Sequence, residues 1–378
     1  MKSVVIAGYL RSPFCFATKG ELAEVRPDDM AAAVVRALVE RSKINPALIE
    51  DLQMGCAFPE GEQGLNIARL VVLLADLPQS VGGATVNRFC GSSMQGIHNA
   101  AGAIQLGAGE VFICAGVESM TRIPMSGFNP MPNFDLMERL PGAYMSMGQT
   151  AENVARKYQI TRKEQEEFAL TSQQKAAAAQ AAGKLADEII AITAPGGDVT
   201  KDGCIRAETT LEKLAGLKLA FDENGTVTAG TSSPLTDGAA AVLVTTEEFA
   251  HTHNLPILAR IKSVAVAGCD PEIMGIGPVA ATQKALKRAG LTAKDLDIIE
   301  LNEAFASQSI ACIRDLGLDQ GKINIDGGAI AIGHPLGATG ARITGKAAML
   351  LKREGKQFAL ATQCIGGGQG IATVLEAV

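Results

Sequence analysis

The chain has 378 residues, of which 47% are hydrophobic and 20% charged, enough apolar surface for a core and too much for a disordered chain. At ~150 residues per domain this length predicts two or three units. A net charge of -6 and a pI near 5.4 exclude a non-specific nucleic-acid binder, so any anionic ligand must be held by a few placed cations and backbone amides.

Lys2 to Gly8 reads as a buried strand around the apolar run Val4-Val5-Ile6-Ala7. It follows the initiator directly, so no signal peptide is expected; with no apolar run long enough to span a bilayer, the expectation is a soluble, cytoplasmic protein with no membrane span. Pro27, Asp28 and Asp29 open a helix with Met30, Val34 and Leu38 on one face. Asp51 to Ala57 is a predicted strand, Leu65 to Ala75 a helix and Ala84 to Val86 a strand. Ser92 to Leu106 is a helix with no face built for water, and Glu110 to Ala115 is a strand. Such alternation predicts parallel βαβ units.

Cys90 stands at the N-terminal end of that small-residue helix, where unpaired N–H groups and the helix dipole favour a thiolate. On this stretch alone it reads as a small buried hydrophobe, as most free cysteines are. The 8 cysteines, at 15, 56, 90, 114, 204, 269, 312 and 364, form no Cys-x-x-Cys pair and no Cys/His cluster. No zinc site or disulfide framework is expected, and a reducing compartment fits.

From about Met120 to Ser233 the composition changes. A loop with Pro124, Pro130, Pro132 and Pro141 leads to a polar helix whose start, Thr161-Arg162-Lys163-Glu164, has the capping-box pattern. This section reads as an excursion laid over a core. The α/β pattern resumes at Asp237 to Val244, and the last part repeats the first: Ala37 to Arg41 and Asp51 to Met54 correspond to Ala285 to Arg288 and Asp297 to Ile299. Two similar halves, each with one small-residue helix, pack with those helices between two sheets as a five-layer α-β-α-β-α core.

Three polar motifs interrupt the apolar C-terminal third. Asn302-Glu303-Ala304-Phe305 follows a strand, with Asn302 where an N-cap belongs; capping and catalysis are both open for it. Gly327 to Gly340 surrounds His334 with glycines that let the backbone approach a ligand or another strand. Thr362 to Gly370 puts Cys364 past the end of a strand and before three glycines, whose N–H groups can hold an oxyanion. His98, His251 and His253 are assigned no role.

Asn87-x-x-Cys90, Asn302-Glu303-Ala304-Phe305, Gly333-His334-Pro335-Leu336-Gly337 and Cys364-Ile365-Gly366-Gly367-Gly368, in that order, resemble the thiolase family from the first strand to the last residue. Ser92-Ser93-Met94-Gln95, Gln369, and Ser146 where biosynthetic acetoacetyl-CoA enzymes typically carry histidine are closer to the degradative 3-ketoacyl-CoA thiolases of β-oxidation. The resemblance implies units at 1–119 (completed by about 237–257), 120–236 and 258–378. It implies that His334 deprotonates Cys90, that Cys90 is acylated, and that Cys364 is the second acid and base. It further implies one oxyanion site from His334 and a water on Asn302, and another from the N–H groups of Cys90 and Gly366.

By the same resemblance coenzyme A is a co-substrate, held by the excursion with Ser233 and Arg206 in contact, and no permanently bound cofactor or metal is expected. A solvated surface arginine is the alternative for Arg206. Expected partners are acyl-CoA and CoA, with a homodimer or homotetramer, or a heterotetramer with a hydratase/dehydrogenase subunit. Leu217-Lys218-Leu219-Ala220-Phe221 departs from the family's Leu-Arg-Pro-Ala-Phe, and Gly91-Ser92-Ser93 from its usual small residue and glycine. Competing readings are an acetoacetyl-CoA thiolase in the condensing direction, a ketoacyl synthase (which would carry histidine in place of Cys364), and a non-catalytic acyl-CoA-binding or assembly subunit.

Overall fold

The computed structural model describes residues 2–378. Counting only the layered core, its strands are β1 (Val4–Arg11), β2 (Asp51–Gly55), β3 (Gly82–Val86), β4 (Val111–Ser119), β5 (Thr236–Thr246), β6 (Ala259–Gly268), β7 (Ile298–Leu301), β8 (Phe358–Ile365) and β9 (Gln369–Glu376). Its helices are α1 (Pro27–Ser42), α2 (Ile67–Leu74), α3 (Ser92–Leu106), α4 (Gly277–Ala289), α5 (Ala306–Leu316) and α6 (Thr339–Glu354).

The two halves repeat one strand order. The first runs β3-β2-β4-β5-β1; the second runs β7-β8-β9-β6, with Ile323 bridged in parallel to Ile299 at the position of β3. Directions agree as well. β2 is parallel to β4 and β7 to β8, while β5 and β9 reverse against their neighbours, as β1 and β6 do again. The two sheets touch at one corner, where Val5 and Ile6 pair with Arg260 and Ala259.

Five layers follow from where the apolar residues point. β4 and β5 are buried along their whole length, as their continuous apolar runs require of strands covered on both faces. One cluster, including Leu38, Leu52, Val71 and Leu243, joins α1 and α2 to the outer face of the first sheet. A second, including Ala285, Leu286, Ile299 and Val374, does the same for α4 and α5 on the second sheet. Between the sheets lie α3 and α6, with Met94, Ile97, Ile343 and Leu350 meeting Ile6, Val242 and Ile371. A Cβ at Gly340 would collide with the backbone nitrogen of Met94, so glycine sets the distance of closest approach of the two central helices.

Local signals place the helix ends. Pro27, Asp28 and Asp29 open α1, and Lys43 closes it in the left-handed region at φ 58. The equivalent α4 has Pro278 in its first turn and ends at Gly290, φ 70. One expectation is corrected: α3 does have a solvent face, with Asn99, Gly102, Gln105 and Leu106 exposed. β3 is the outermost strand, and among the described residues no strand pairs with its outer edge.

Residues 120–235 form short helices, a small hairpin (Ile192–Ala194 and Gly197–Val199) and the helix Arg162–Ala181, whose capping box between Thr161 and Glu164 is present. Buried ion pairs tie this segment to the core: Arg11 on β1 with Glu188 at 2.8 Å and Asp202 at 2.6 Å, and Lys346 on α6 with Glu188 at 2.8 Å. Among the described residues no helix is long and apolar enough to cross a membrane.

Candidate active site

The turn between β3 and α3 carries Cys90. Its residue Phe89 sits in the left-handed region at φ 42, a strained state for a bulky side chain that the surroundings must hold. They do so through side chains. Asn87 accepts from the Phe89 N–H at 2.9 Å, Ser92 Oγ accepts from the Arg88 N–H at 2.9 Å and donates to the Phe89 carbonyl at 2.5 Å. Arg88 is pinned by Gln95 at 2.9 Å and by Gln369 at 2.7 Å across the interface of the halves. A Cβ at Gly91 would press on Ile365, so the turn and the end of β8 are in contact.

From the second half, β8 brings Cys364 and the tight turn after it. Cys364 lies inside β8, which extends to Ile365, and not past a strand end as expected; its register partner is Gly370 on β9. The Gln363 amide donates to the Cys90 carbonyl. The nearby backbone N–H groups of Gly366 and of Cys90 itself favour the Cys90 thiolate, while the Glu118 charge opposes it. Burial outweighs both N–H groups and pushes the Cys90 thiol up to about 11. Proximity to the α3 terminus therefore does not make Cys90 a resting thiolate, contrary to expectation: desolvation of the charged sulfur dominates. Cys364 is buried and its thiol is raised well above the ordinary value, first by burial and then by the neighbouring charge of an ionised Cys90.

His334 follows Gly333, whose φ of 112 suits glycine and whose Cα faces Thr236. The ring is buried and held at both nitrogens. Nδ1 lies 2.6 Å from Thr339 Oγ1, and Nε2 lies 3.4 Å from Asn302 Nδ2, while the backbone N–H donates to Thr236 Oγ1 at 3.1 Å. Burial first, and the nearby Arg342 charge second, push the imidazole down to about 3, so it is neutral at neutral pH. Asn302 is not a helix cap. Helix α5 starts at Ala306 after an extended Phe305, and the Asn302 N–H still bonds the Thr362 carbonyl at 3.0 Å, so the residue continues the β7–β8 ladder. Its side chain is free to reach His334, and its Oδ1 is buried with no partner in the protein.

The structure thus sets Cys90 against the Gln363–Ile365 end of β8 where the halves meet, and His334 against Asn302, whose backbone pairs with Thr362, two residues before Cys364 on the same strand. Ser233 abuts the segment after Asn302: its N–H bonds the Ala304 carbonyl at 3.0 Å, and Phe305, next in the chain, packs edge-on to Phe221 at 6.0 Å. The altered segment Leu217 to Phe221 therefore still delivers an aromatic ring to this rim. Arg206 stands apart, exposed, with its guanidinium 4.7 Å from the centre of the Phe16 ring and no hydrogen bond to these residues. Ser146 caps the helix Met147–Lys157 in a reciprocal box with Gln149, and a Cβ on Gly366 would come within 3.4 Å of Met147 Sδ.

Two positioning residues escaped sequence reasoning. Thr339, within the glycine-rich run around His334, was given no role. Glu118 is a buried carboxylate that accepts from the N–H groups of Ala57 (2.8 Å), Phe58 (3.1 Å) and Gly337 (2.8 Å) and from Gln63 at 3.0 Å. It clamps the His334 loop to the first half. The available signal was an acid in an otherwise uncharged buried strand.

Comparison with known proteins agrees over the full length. A family model described as the thiolase N-terminal domain matches residues 4–248, and one described as the thiolase C-terminal domain matches residues 255–377. The chain is 50% identical over 391 residues to a 3-ketoacyl-CoA thiolase of Shewanella denitrificans and 48% identical over 389 residues to one of Bacillus subtilis, covering 100% of each chain. The crystal structure of human mitochondrial 3-ketoacyl-CoA thiolase superposes with a TM-score of 0.92 at 39% identity, covering 100% of this chain and 99% of that one. A second structure of the human protein, in complex with CoA, has the same TM-score and identity, with 98% of its chain covered.

Proposed function

The chain belongs to the thiolase family, and from that premise we propose that it works in the degradative direction of fatty-acid β-oxidation, cleaving 3-ketoacyl-CoA with CoA. Membership itself makes it an acyltransferase that acts on CoA thioesters through a cysteine. The names of its relatives, and Ser146 where biosynthetic enzymes typically carry histidine, support the degradative reading. The observation that carries the mechanism is the contact of the Cys90 turn with the Cys364 segment where the halves meet: the Gln363 amide donates to the Cys90 carbonyl, and Gly91 lies against Ile365.

In this reading His334 Nε2 accepts the Cys90 proton as the sulfur attacks C3 of the substrate, forming the S–C3 bond. The C3 oxyanion is held by the N–H groups of Cys90 and Gly366, each such donor being worth ~3 kcal/mol to the transition state. The C2–C3 bond breaks, its electron pair passes to the enolate of acetyl-CoA, and the Cys364 thiol protonates C2. The enolate oxygen faces His334 and a water on the unpartnered Oδ1 of Asn302. Free CoA then gives its thiol proton to the Cys364 thiolate and attacks acyl-Cys90. The S–C bond breaks, and the departing Cys90 sulfur recovers its proton from His334. The product is an acyl-CoA two carbons shorter.

Ser233 and Phe221 beside Ala304 support a pantetheine path over that rim, with Arg206 as the cation for the adenosine phosphates. The same reading divides the chain into 1–119 with 237–257, an inserted 120–236, and 258–378. The unpaired outer edge of β3 and the exposed flank of α3 support a dimer built on that edge, with assembly beyond it, homotetramer or heterotetramer, mediated by the insert. The test is CoA-dependent cleavage of a 3-ketoacyl-CoA series beside Cys90→Ser. Activity on chains longer than four carbons, lost in the variant by several orders of magnitude, supports the proposal. Activity confined to acetoacetyl-CoA moves the assignment to the condensing enzyme.

A further inference from the structure

Beneath the His334–Asn302 contact lies a second polar contact that the proposed reaction does not use. Glu300 and Asn302 are two residues apart on β7 and its continuation, so both side chains face the central layer, ~6.6 Å apart along the strand. Arg342 follows Thr339 by three residues, close to one turn further along α6. The two elements are therefore joined by two rungs. In the upper one Asn302 and Thr339 hold the two nitrogens of His334, at 3.4 Å and 2.6 Å. In the lower one Arg342 Nη1 donates to Glu300 Oε2 at 2.8 Å.

The lower rung is badly satisfied for a structural bond. Arg342 and Glu300 are 1% and 0% exposed, yet Arg342 Nε and Nη2 and Glu300 Oε1 have no partner among the described residues. Buried ion pairs of this kind add little or nothing over apolar residues of the same volume. Its place, one step along each element from the two side chains that hold the reacting imidazole, gives it a different use.

We propose that the Glu300–Arg342 pair is a positioning device for the histidine base: it holds Asn302 in register with His334, and the unshared guanidinium N–H groups oppose a second positive charge on the ring. The proposal rests on the thiolytic reading above. Other charged groups on the elements around the ring are matched by local partners. Glu118 on β4 has four donors, Asp237 on β5 accepts from Ser119 and Thr121, and Glu303 after β7 accepts from Ser172, Asn324 and Ile330. Lys346 on α6 is neutralised by Glu188 and Asp326. The thiols of Cys90 and Cys364 are uncharged at rest. Arg342 has Glu300 as its one partner, a carboxyl that burial pushes up to about 7 and that therefore matches the cation incompletely, and the guanidinium is the charge that, after burial, lowers the imidazole's proton affinity. A neutral ring can take the Cys90 proton during attack and return it when Cys90 leaves.

The test is the imidazole titration of His334 in the free, isotope-labelled protein, assigned among four histidines with His334→Gln. Arg342→Met and the volume-matched double variant Glu300→Gln/Arg342→Met are compared with Arg353→Met, which removes a cation bound to Asp326 further along α6. The expected result is a rise of at least one pH unit in the His334 midpoint in both Arg342 variants, toward the ordinary ~6.5, and no change in the control. In thiolysis kcat should acquire an acid limb at the same pH, with KM for CoA within twofold. If Arg342→Met fails to fold, the double variant decides. A folded double variant with an unmoved His334 titration overturns the proposal. Absence of cleavage by the unaltered protein would instead overturn the thiolytic reading, and the titration, which needs no substrate, would still decide the electrostatic claim.

Discussion

At the scale of single residues, the resting site is uncharged. The Cys90 thiol is pushed up to about 11 and the His334 imidazole down to about 3, both chiefly by burial. Between those values lowering the pH does not protonate the ring and raising it does not ionise the thiol, so the acylation rate should be flat through neutrality. In particular, kcat/KM measured against pH should show no limb from the ring near the ordinary histidine value of ~6.5; a limb there that persists in Glu300→Gln, which removes the carboxyl that burial pushes up to about 7, would contradict this. Thr339 holds the ring that must accept the proton, so Thr339→Val is expected to lower kcat on the order of tenfold to a hundredfold, with KM little changed, and Thr339→Ser to restore it. Equal loss in both variants would remove Thr339 from that role. Cys90, His334 and Cys364 were legible because polar residues inside glycine-rich apolar runs have few structural uses. Thr339 was not, since a threonine at a helix start is ordinary and its partner lies five residues back across a turn.

Among the elements, the site depends on how closely α3 and α6 approach. Gly340 faces the Met94 backbone with no room for a Cβ, and Gly340→Ala is expected to cost about 1–3 kcal/mol by overpacking, read as a lower urea midpoint at unchanged slope. An unchanged midpoint would mean that the helices separate freely. Most elements could be read from periodicity and end signals: α3 spans Ser92–Leu106 as expected, and α1 begins at Pro27. Asn302 stayed open between cap and site residue because an Asn followed by Glu-Ala-Phe looks like a cap. Phe305, extended at φ -145 and ψ 147, delays the helix and leaves Asn302 in the sheet. Local sequence does not reveal that delay, which is set by pairing with Thr362 on another strand.

For the whole molecule, the repeated halves bring one thiol from each together where they meet, and the excursion is fastened underneath by buried charge. Glu188 accepts from both Arg11 and Lys346, and the two cations hold its carboxyl below its usual range against the opposing effect of burial. Glu188→Ala takes one of two carboxylates from each of two buried cations, which keep Asp202 and Asp326, and is expected to cost about 1–3 kcal/mol in chemical unfolding; a loss under ~0.5 kcal/mol, the scatter of a surface substitution, would show that water reaches them. The repeat was readable from the matching helix–strand units. This network was not, because Arg11, Glu188, Asp202 and Lys346 are scattered along the chain and only the closed fold brings them together.

The central claim is that Cys90 carries the acyl group while Cys364 handles protons. Rapid quenching after mixing with a 3-ketoacyl-CoA in the absence of free CoA, followed by peptide mass mapping, measures this directly. The account predicts one acyl group on the peptide containing Cys90, none on that containing Cys364, and complete discharge when CoA is added. An acyl group on any other residue, or steady cleavage with Cys90 never modified, would contradict it.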